Sequence, residues 1–288
     1  MNLFKRTAFV SILLLLTFIT AKAQDEPWQE YMRYMTYSPR YFGPNAFPLP
    51  ELRGGQLDKR WLVEVRGEYH TYTGDQTKNF YTRMFMPIAK GRAGFELSYT
   101  FLEYYNMTPE TVAERHAAGP SWGEPTKGDL IFSTFYNFTQ NDRRIGLLFE
   151  ATLKTTSGKR LSDARHTDAA AYWFNLNQGC YLLGNAFSLG FFRIQALVGF
   201  YCWMTNDIVH RQNDAFLFAA GSSGGYKNVT VQADIVGFYG YLNNGDHPLV
   251  LRTKLDYEYK KNILSLRYKH GIQDFLYDTY SLAYIRCF

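Results

Sequence analysis

Three stretches of the chain concentrate side chains able to hold a polar ligand. Lys154, Ser157, Asp163, Arg165, His166 and Asp168 form the first, and Asn206, Asp207, His210, Arg211, Asn213 and Asp214 the second. Asn243, Asn244, Asp246 and Arg252 form the third. Amides and acids in these loops supply donors and acceptors at short range, of the type that hydrogen-bond polar ligands. The candidate ligand and selectivity residues are Lys154, Arg165, Asp168, Asn206, Asp207, Arg211, Asn213, Asp214, Asn243, Asp246 and Arg252. Ordinary Asx turn chemistry competes with this reading, and it accounts best for Asn243 to Asp246.

A second chemistry is open to the same region. Ser157 or Ser162, with His166 or His210 and an acidic or amide partner, supplies the residue types for hydrolysis of a lipid ester. No calcium-loop spacing of oxygen ligands is present, and Cys180, Cys202 and Cys287 are too dispersed for a metal site. Neither metal nor cofactor is expected. One disulfide with one thiol left over, or three free cysteines, fits an oxidising compartment.

The elements that position these residues show an alternation of period two. In KNVTVQADIVGFYGYLNNGDHPLVLRTKLDYEYK, Val229, Val231, Ala233, Ile235, Tyr239 and Tyr241 share one face, with Asn228, Thr230, Gln232 and Asp234 on the other. After Asn243-Asn244-Gly245-Asp246, Leu249, Leu251, Leu255, Tyr257 and Tyr259 alternate with Arg252, Lys254, Asp256 and Glu258. Strands this long, apolar on one face and charged on the other, span a bilayer as part of a closed sheet. A large secreted antiparallel protein is the alternative.

From Trp61 the same test finds twelve strands. They run over 61–73, 77–88, 93–104, 128–139, 144–157, 168–181, 188–204, 212–222, 227–241, 248–259, 262–270 and 274–288. Connections after even-numbered strands are short, whereas those after odd-numbered ones include Tyr105 to Lys127 and Gly158 to Thr167. This parity places short turns at one end and long loops at the other. The inward set pairs Glu64, Glu68, Glu96, Glu150, Asp234, Asp256 and Glu258 with Arg66, Arg83, Lys154, Arg193, Arg252, Lys254, Arg267 and Lys269. A wet, ion-paired interior is therefore expected.

The first 23 residues, with Lys5 and Arg6 before an apolar core from Ala8 to Ile19 and small residues at Ala21 and Ala23, have the form of a secretory signal peptide. Subtracting Lys5, Arg6 and Lys22 from the 31 bases leaves 28 against 26 acids, a net charge of +2 that gives no footprint for nucleic acid. Residues 24–60 carry prolines at 27, 39, 44, 48 and 50 and lack a spanning strand. They are expected at the periplasmic mouth or as a partial plug of the lumen.

Residues 61–288 resemble the Gram-negative outer-membrane β-barrels. The ending SLAYIRCF carries part of the resemblance, since Phe288, Tyr284, Leu282 and Tyr280 match the terminal pattern those proteins offer to the barrel-insertion machinery. Arg286 departs from it, standing where an apolar side chain is usual. The resemblance implies an all-β closed antiparallel barrel of about twelve strands in the cell outer membrane. Its expected partners are outer-membrane lipid, the insertion machinery and a small polar solute, with the barrel a monomer. The expected role is a narrow channel or binding barrel; a lipid hydrolase and a structural or surface-interaction barrel are the alternatives. Outer-membrane phospholipases carry His-x-Ser-Asn-Gly, which is absent here.

Overall fold

The computed structural model describes residues 32–119, 125–139, 144–185 and 188–288; the expected signal peptide and the turn 140–143 lie outside them. Twelve strands follow in order: β1 (Leu62–Tyr72), β2 (Asp75–Ile88), β3 (Ala93–Met107), β4 (Leu130–Asn137), β5 (Ile145–Lys154), β6 (Ala171–Leu183), β7 (Gly190–Met204), β8 (Gln212–Tyr226), β9 (Val229–Gly240), β10 (Leu249–Tyr259), β11 (Asn262–Gln273) and β12 (Asp278–Cys287). Each pairs antiparallel with its neighbours in sequence, and β1 also pairs with β12 from Leu62↔Cys287 to Thr71↔Asp278. The sheet is therefore a closed barrel without an edge.

Outward positions carry an apolar belt. Val63, Phe95, Leu153, Val198, Leu266 and Tyr284 are all exposed, whereas the alternate residues Glu64, Glu96, Thr152, Leu197, Ser265 and Ala283 are buried. Exposed apolar side chains over the whole circumference of a closed barrel fit a hydrocarbon surround, which tolerates no unpaired backbone. No helix among the described residues is long and apolar enough to cross a membrane; the strands do so instead. The long loops at 108–129 and 155–170 mark the outer end, with Leu62 and Cys287 at the periplasmic one.

Several boundaries move from those expected. The eighth strand runs on to Tyr226, so the periplasmic turn is Lys227-Asn228, with Lys227 at φ 54°. The sixth starts at Ala171 and the twelfth at Asp278, because Asp168 and Asp274 are engaged elsewhere: Asp168 accepts the Tyr37 hydroxyl at 2.7 Å and Asp274 accepts the His247 N–H at 3.0 Å. The third strand runs beyond Tyr104 to Met107 and carries an irregularity, since Leu102 pairs with Phe80 but Thr100 pairs with Tyr81. The extra residue, Phe101, reverses the phase. Glu103, Tyr105 and Met107 thereby turn inward and are buried, where continued alternation would have aimed them at lipid.

The interior is not uniformly wet. On the β6 to β10 side the inward side chains are apolar: Trp173, Leu197, Tyr201, Trp203, Leu217, Val236, Phe238 and Val250. They pack on Met35, Tyr37, Phe42, Ala46, Phe47 and Leu52 of the segment preceding β1. Rings interlock through this core, with Phe47 at 5.5 Å from Trp203 edge to face and Tyr201 stacked at 4.7 Å on Phe238. The expected ionic interior holds mainly on the opposite side, around Glu64, Arg66, Arg83 and Arg267, with Arg193 on β7, Asp234 on β9 and Arg252 on β10 bringing charge to this side as well.

The segment from Met32 to Arg60 threads the lumen from end to end. Its first residues meet the outer loop at Asn206, whose amide donates to the Met32 and Met35 carbonyls. Its last meet the periplasmic end, where Arg60 pairs with Glu258 at 2.5 Å and Leu57 packs on Phe85, Phe135 and Leu148. Tyr34, 60% exposed at the outer mouth, is therefore reachable from outside the cell. With the three native cysteines replaced, Tyr34→Cys should react with a membrane-impermeant maleimide on intact cells, whereas Lys59→Cys should react only after the outer membrane is opened. The opposite pattern would reverse the orientation.

Candidate functional site

A constriction just above the periplasmic cluster fixes the segment in place. Gly54 and Gly55 have φ of +56° and +74°, and a Cβ on Gly55 would lie 2.2 Å from the backbone of Gly146 on β5. A Cβ on Gly179 of β6 would in turn lie 2.2 Å from the Gly54 carbonyl. Backbone thus meets backbone where no side chain fits. Arg193 donates to the Arg53 carbonyl at 2.8 Å and to Gly54, and its other arm reaches Gln56 at 2.6 Å.

Above that turn the segment faces β1 to β3 and β9 to β11 across a cavity of about 180 Å³. Glu51 is gripped by Arg83 at 3.0 Å and Arg267 at 3.3 Å, and Arg53 is forked onto both oxygens of Glu96 at 2.8 Å. Arg252 donates to Asp234 at 2.6 Å and to the Pro50 carbonyl at 2.9 Å. Glu150 accepts from Trp173, Asn175 and Thr152. Within the cavity Lys254 and Lys269 are 31% and 30% exposed. Val250, Phe275 and the aromatic core border its outer side.

Higher still, the outer loops fold inward over the segment. Arg165 donates to Asp75 at 2.5 Å, to Glu103 at 2.9 Å and to Thr77 at 2.6 Å. Arg115, just after helix α1 (Pro109–Glu114), reaches Asp75 at 2.9 Å and the Tyr277 hydroxyl at 2.8 Å. Glu103 also accepts from Asn45 of the segment at 2.7 Å. All the charged members are buried. Their mutual neutralisation and the added hydrogen bonds offset the cost of removing them from water.

The expected rim residues take several places. Lys154 is buried, donating to Asp129 at 2.9 Å, Thr167 and the Ala169 carbonyl, and Arg165 belongs to the buried cluster. Asp168 and Asn206 hold the segment. Asn213 donates to Asp246 at 2.7 Å, and Asp246 also accepts from the Leu242 and Asn244 N–H groups, so this acid organises its own turn beside Asn243 at φ 53°. Asp207 and Arg211 are exposed on the outer loop and Asp214 is half-buried at the start of β8; the Val209 N–H holds the Asp207 carboxyl below its usual range. Arg252 alone of the set lines the cavity. Asn45, Glu51 and Arg53 line it too and are not among the residues expected from sequence, because the segment carries no alternation to single them out.

No serine hydroxyl is hydrogen-bonded to a histidine among the described residues. Ser157 pairs with the Leu130 N–H and Thr155, Ser162 with Asp163, and His166 faces Glu103 at 3.5 Å. The three cysteines are free thiols.

Solved structures of similar fold include an outer-membrane channel from Pseudomonas putida F1, 11% identical, with TM-score 0.50 over 85% of this chain and 97% of that one. The KdgM porin in complex with disordered oligogalacturonate is 11% identical, with TM-score 0.48 over 79% of this chain and 99% of that one. The shared feature is the outer-membrane β-barrel fold. No protein-family model matches the sequence, and no curated protein is similar to it.

Replacing Arg165 by Ala leaves Glu103 buried without its arginine and Asp75 with Arg115 alone, and should cost about 3–5 kcal/mol. Arg211→Ala, on an exposed loop, should stay within about 0.5 kcal/mol. The temperature at which the folded band converts to the unfolded one on SDS gels reads both; equal midpoints would show that the buried cluster adds nothing.

Proposed function

We propose that the protein is a gated outer-membrane channel for a small polar solute, with its own segment Met32 to Arg60 as the gate. The observation that carries this reading is the filling of the lumen. The segment occupies it from end to end and leaves a charged chamber of about 180 Å³. Twelve strands enclose more space than their own side chains fill, so the segment decides whether the barrel conducts.

On this reading the polar residues of the outer loops act as a latch. Asn206, Asp168 and Trp203 hold Met32, Met35 and Tyr37, while Ser38 donates to the Asn244 carbonyl at 2.9 Å and Gly43 to the Ala164 carbonyl at 2.8 Å. Selectivity belongs to the chamber, where Arg252 is joined by Arg53, Glu51, Arg83 and Arg267. The chamber holds about six waters at a water's share of liquid volume, which suits a solute of a few heavy atoms.

In planar bilayers the full chain should show a closed baseline with brief openings. Truncating two aromatic anchors together, Phe42→Ala with Phe47→Ala, removes about 3–5 kcal/mol of core packing at each and should raise the open fraction at least several-fold. Unchanged currents in a variant that still folds would refute gating by the segment.

A further inference from the structure

We infer that the chamber takes a small carboxylate anion, bound between Arg53 and Arg252; the inference rests on the reading of the barrel as a solute channel. Both guanidinium groups are fixed by partners that use only part of their donor capacity. Arg53 commits an arm to Glu96, and its Nε has no acceptor. Arg252 commits Nε to Asp234 and Nη1 to the Pro50 carbonyl, and its Nη2 has none. These nitrogens are buried and belong to side chains lining one cavity.

Leaving a charged N–H without an acceptor is costly, and a bound oxyanion removes that cost. The surrounding field has the right sign. Seven basic side chains line the chamber against five acidic ones, and the acids already accept from arginines or from neighbouring amide, hydroxyl and indole groups. With one free nitrogen on each of two arginines, the donors match the two oxygens of a single carboxylate one to one. The volume admits only a compact molecule.

Two of the seven bases, Lys254 and Lys269, stand part exposed in the chamber lining. Half-exposed cations concentrate anions around them and lose that effect as salt rises. The aromatic core closes the outer side.

The test is calorimetric titration of the full-length protein in detergent with sodium succinate at constant ionic strength, beside erythritol and inorganic phosphate. Succinate should bind one to one. Arg252→Gln should weaken it about tenfold, the loss of one charge-assisted hydrogen bond. Because Arg252 also holds Pro50, Lys269→Gln gives a second reading at a position that does not touch the segment: affinity should fall about threefold at low salt and converge with wild type at high salt. Arg40→Gln, at the outer mouth, should leave binding unchanged. Absence of succinate binding, equal binding of erythritol, or binding of phosphate alone would overturn the assignment. Binding without any opening of the Phe42→Ala, Phe47→Ala protein in bilayers would leave the anion site standing and remove the channel; opening without binding would do the reverse.

Discussion

A closed sheet in hydrocarbon solves one problem and creates another. Pairing β1 with β12 satisfies every strand, as lipid demands, but twelve strands enclose a lumen that their own side chains cannot fill. Something must occupy it, either water or protein. Here the occupant is the chain's own lead-in, and the barrel wall is built to receive it in two ways. On the β6 to β10 side it offers aromatic and aliphatic surface; on the β1 to β3 side it offers arginines and carboxylates.

The composition of the segment explains how it is held. Prolines at 39, 44, 48 and 50 remove donors while leaving carbonyls that need partners, Pro39 opening a 3-10 turn over Pro39–Tyr41. The barrel answers with side-chain donors: Asn206 to Met35, Trp203 to Tyr37, Arg252 to Pro50, Gln232 to Leu52 and Arg193 to Arg53. Most of these bonds address main-chain oxygens and do not depend on which side chain the segment carries. The fixed points in register are instead the Gly54-Gly55 approach to Gly146 and the ion pairs of Glu51 and Arg53.

The strands were legible because lipid and lumen impose opposite demands on adjacent residues, so Leu251, Leu255 and Tyr257 alternate with Arg252, Lys254 and Asp256, Val250 and Thr253 being the exceptions. The same rule fails where it is locally broken. Phe101 adds one residue to β3, and Glu103 beyond it turns inward as the acid that Arg165 and Asn45 share. The dry half of the interior had a visible trace that alternation alone could not interpret. FFRIQALVGFYCWM is apolar on both faces over its outer half, since Tyr201 and Trp203 face protein while Val198 and Phe200 face lipid. What covers an inward aromatic face is a long-range fact, and in this chain the cover lies some 160 residues away, as in the bond from Trp203 to Tyr37. The polar outer loops were recognisable as a binding region, but the chain itself supplies much of what they bind.

The two halves of the lumen differ in how they can yield. The ion pairs around Glu51 and Arg53 are held by charge and hydrogen bonds among largely buried groups, with Glu51 itself 39% exposed. The core of Phe42, Phe47, Trp203 and Phe238 is held by packing, and parting it exposes aromatic surface at about 25 cal/mol per Å². On the proposed gating by the segment, the barrier to opening would reside in this aromatic core, because it is the contact that neither water nor a new ion pair replaces on parting.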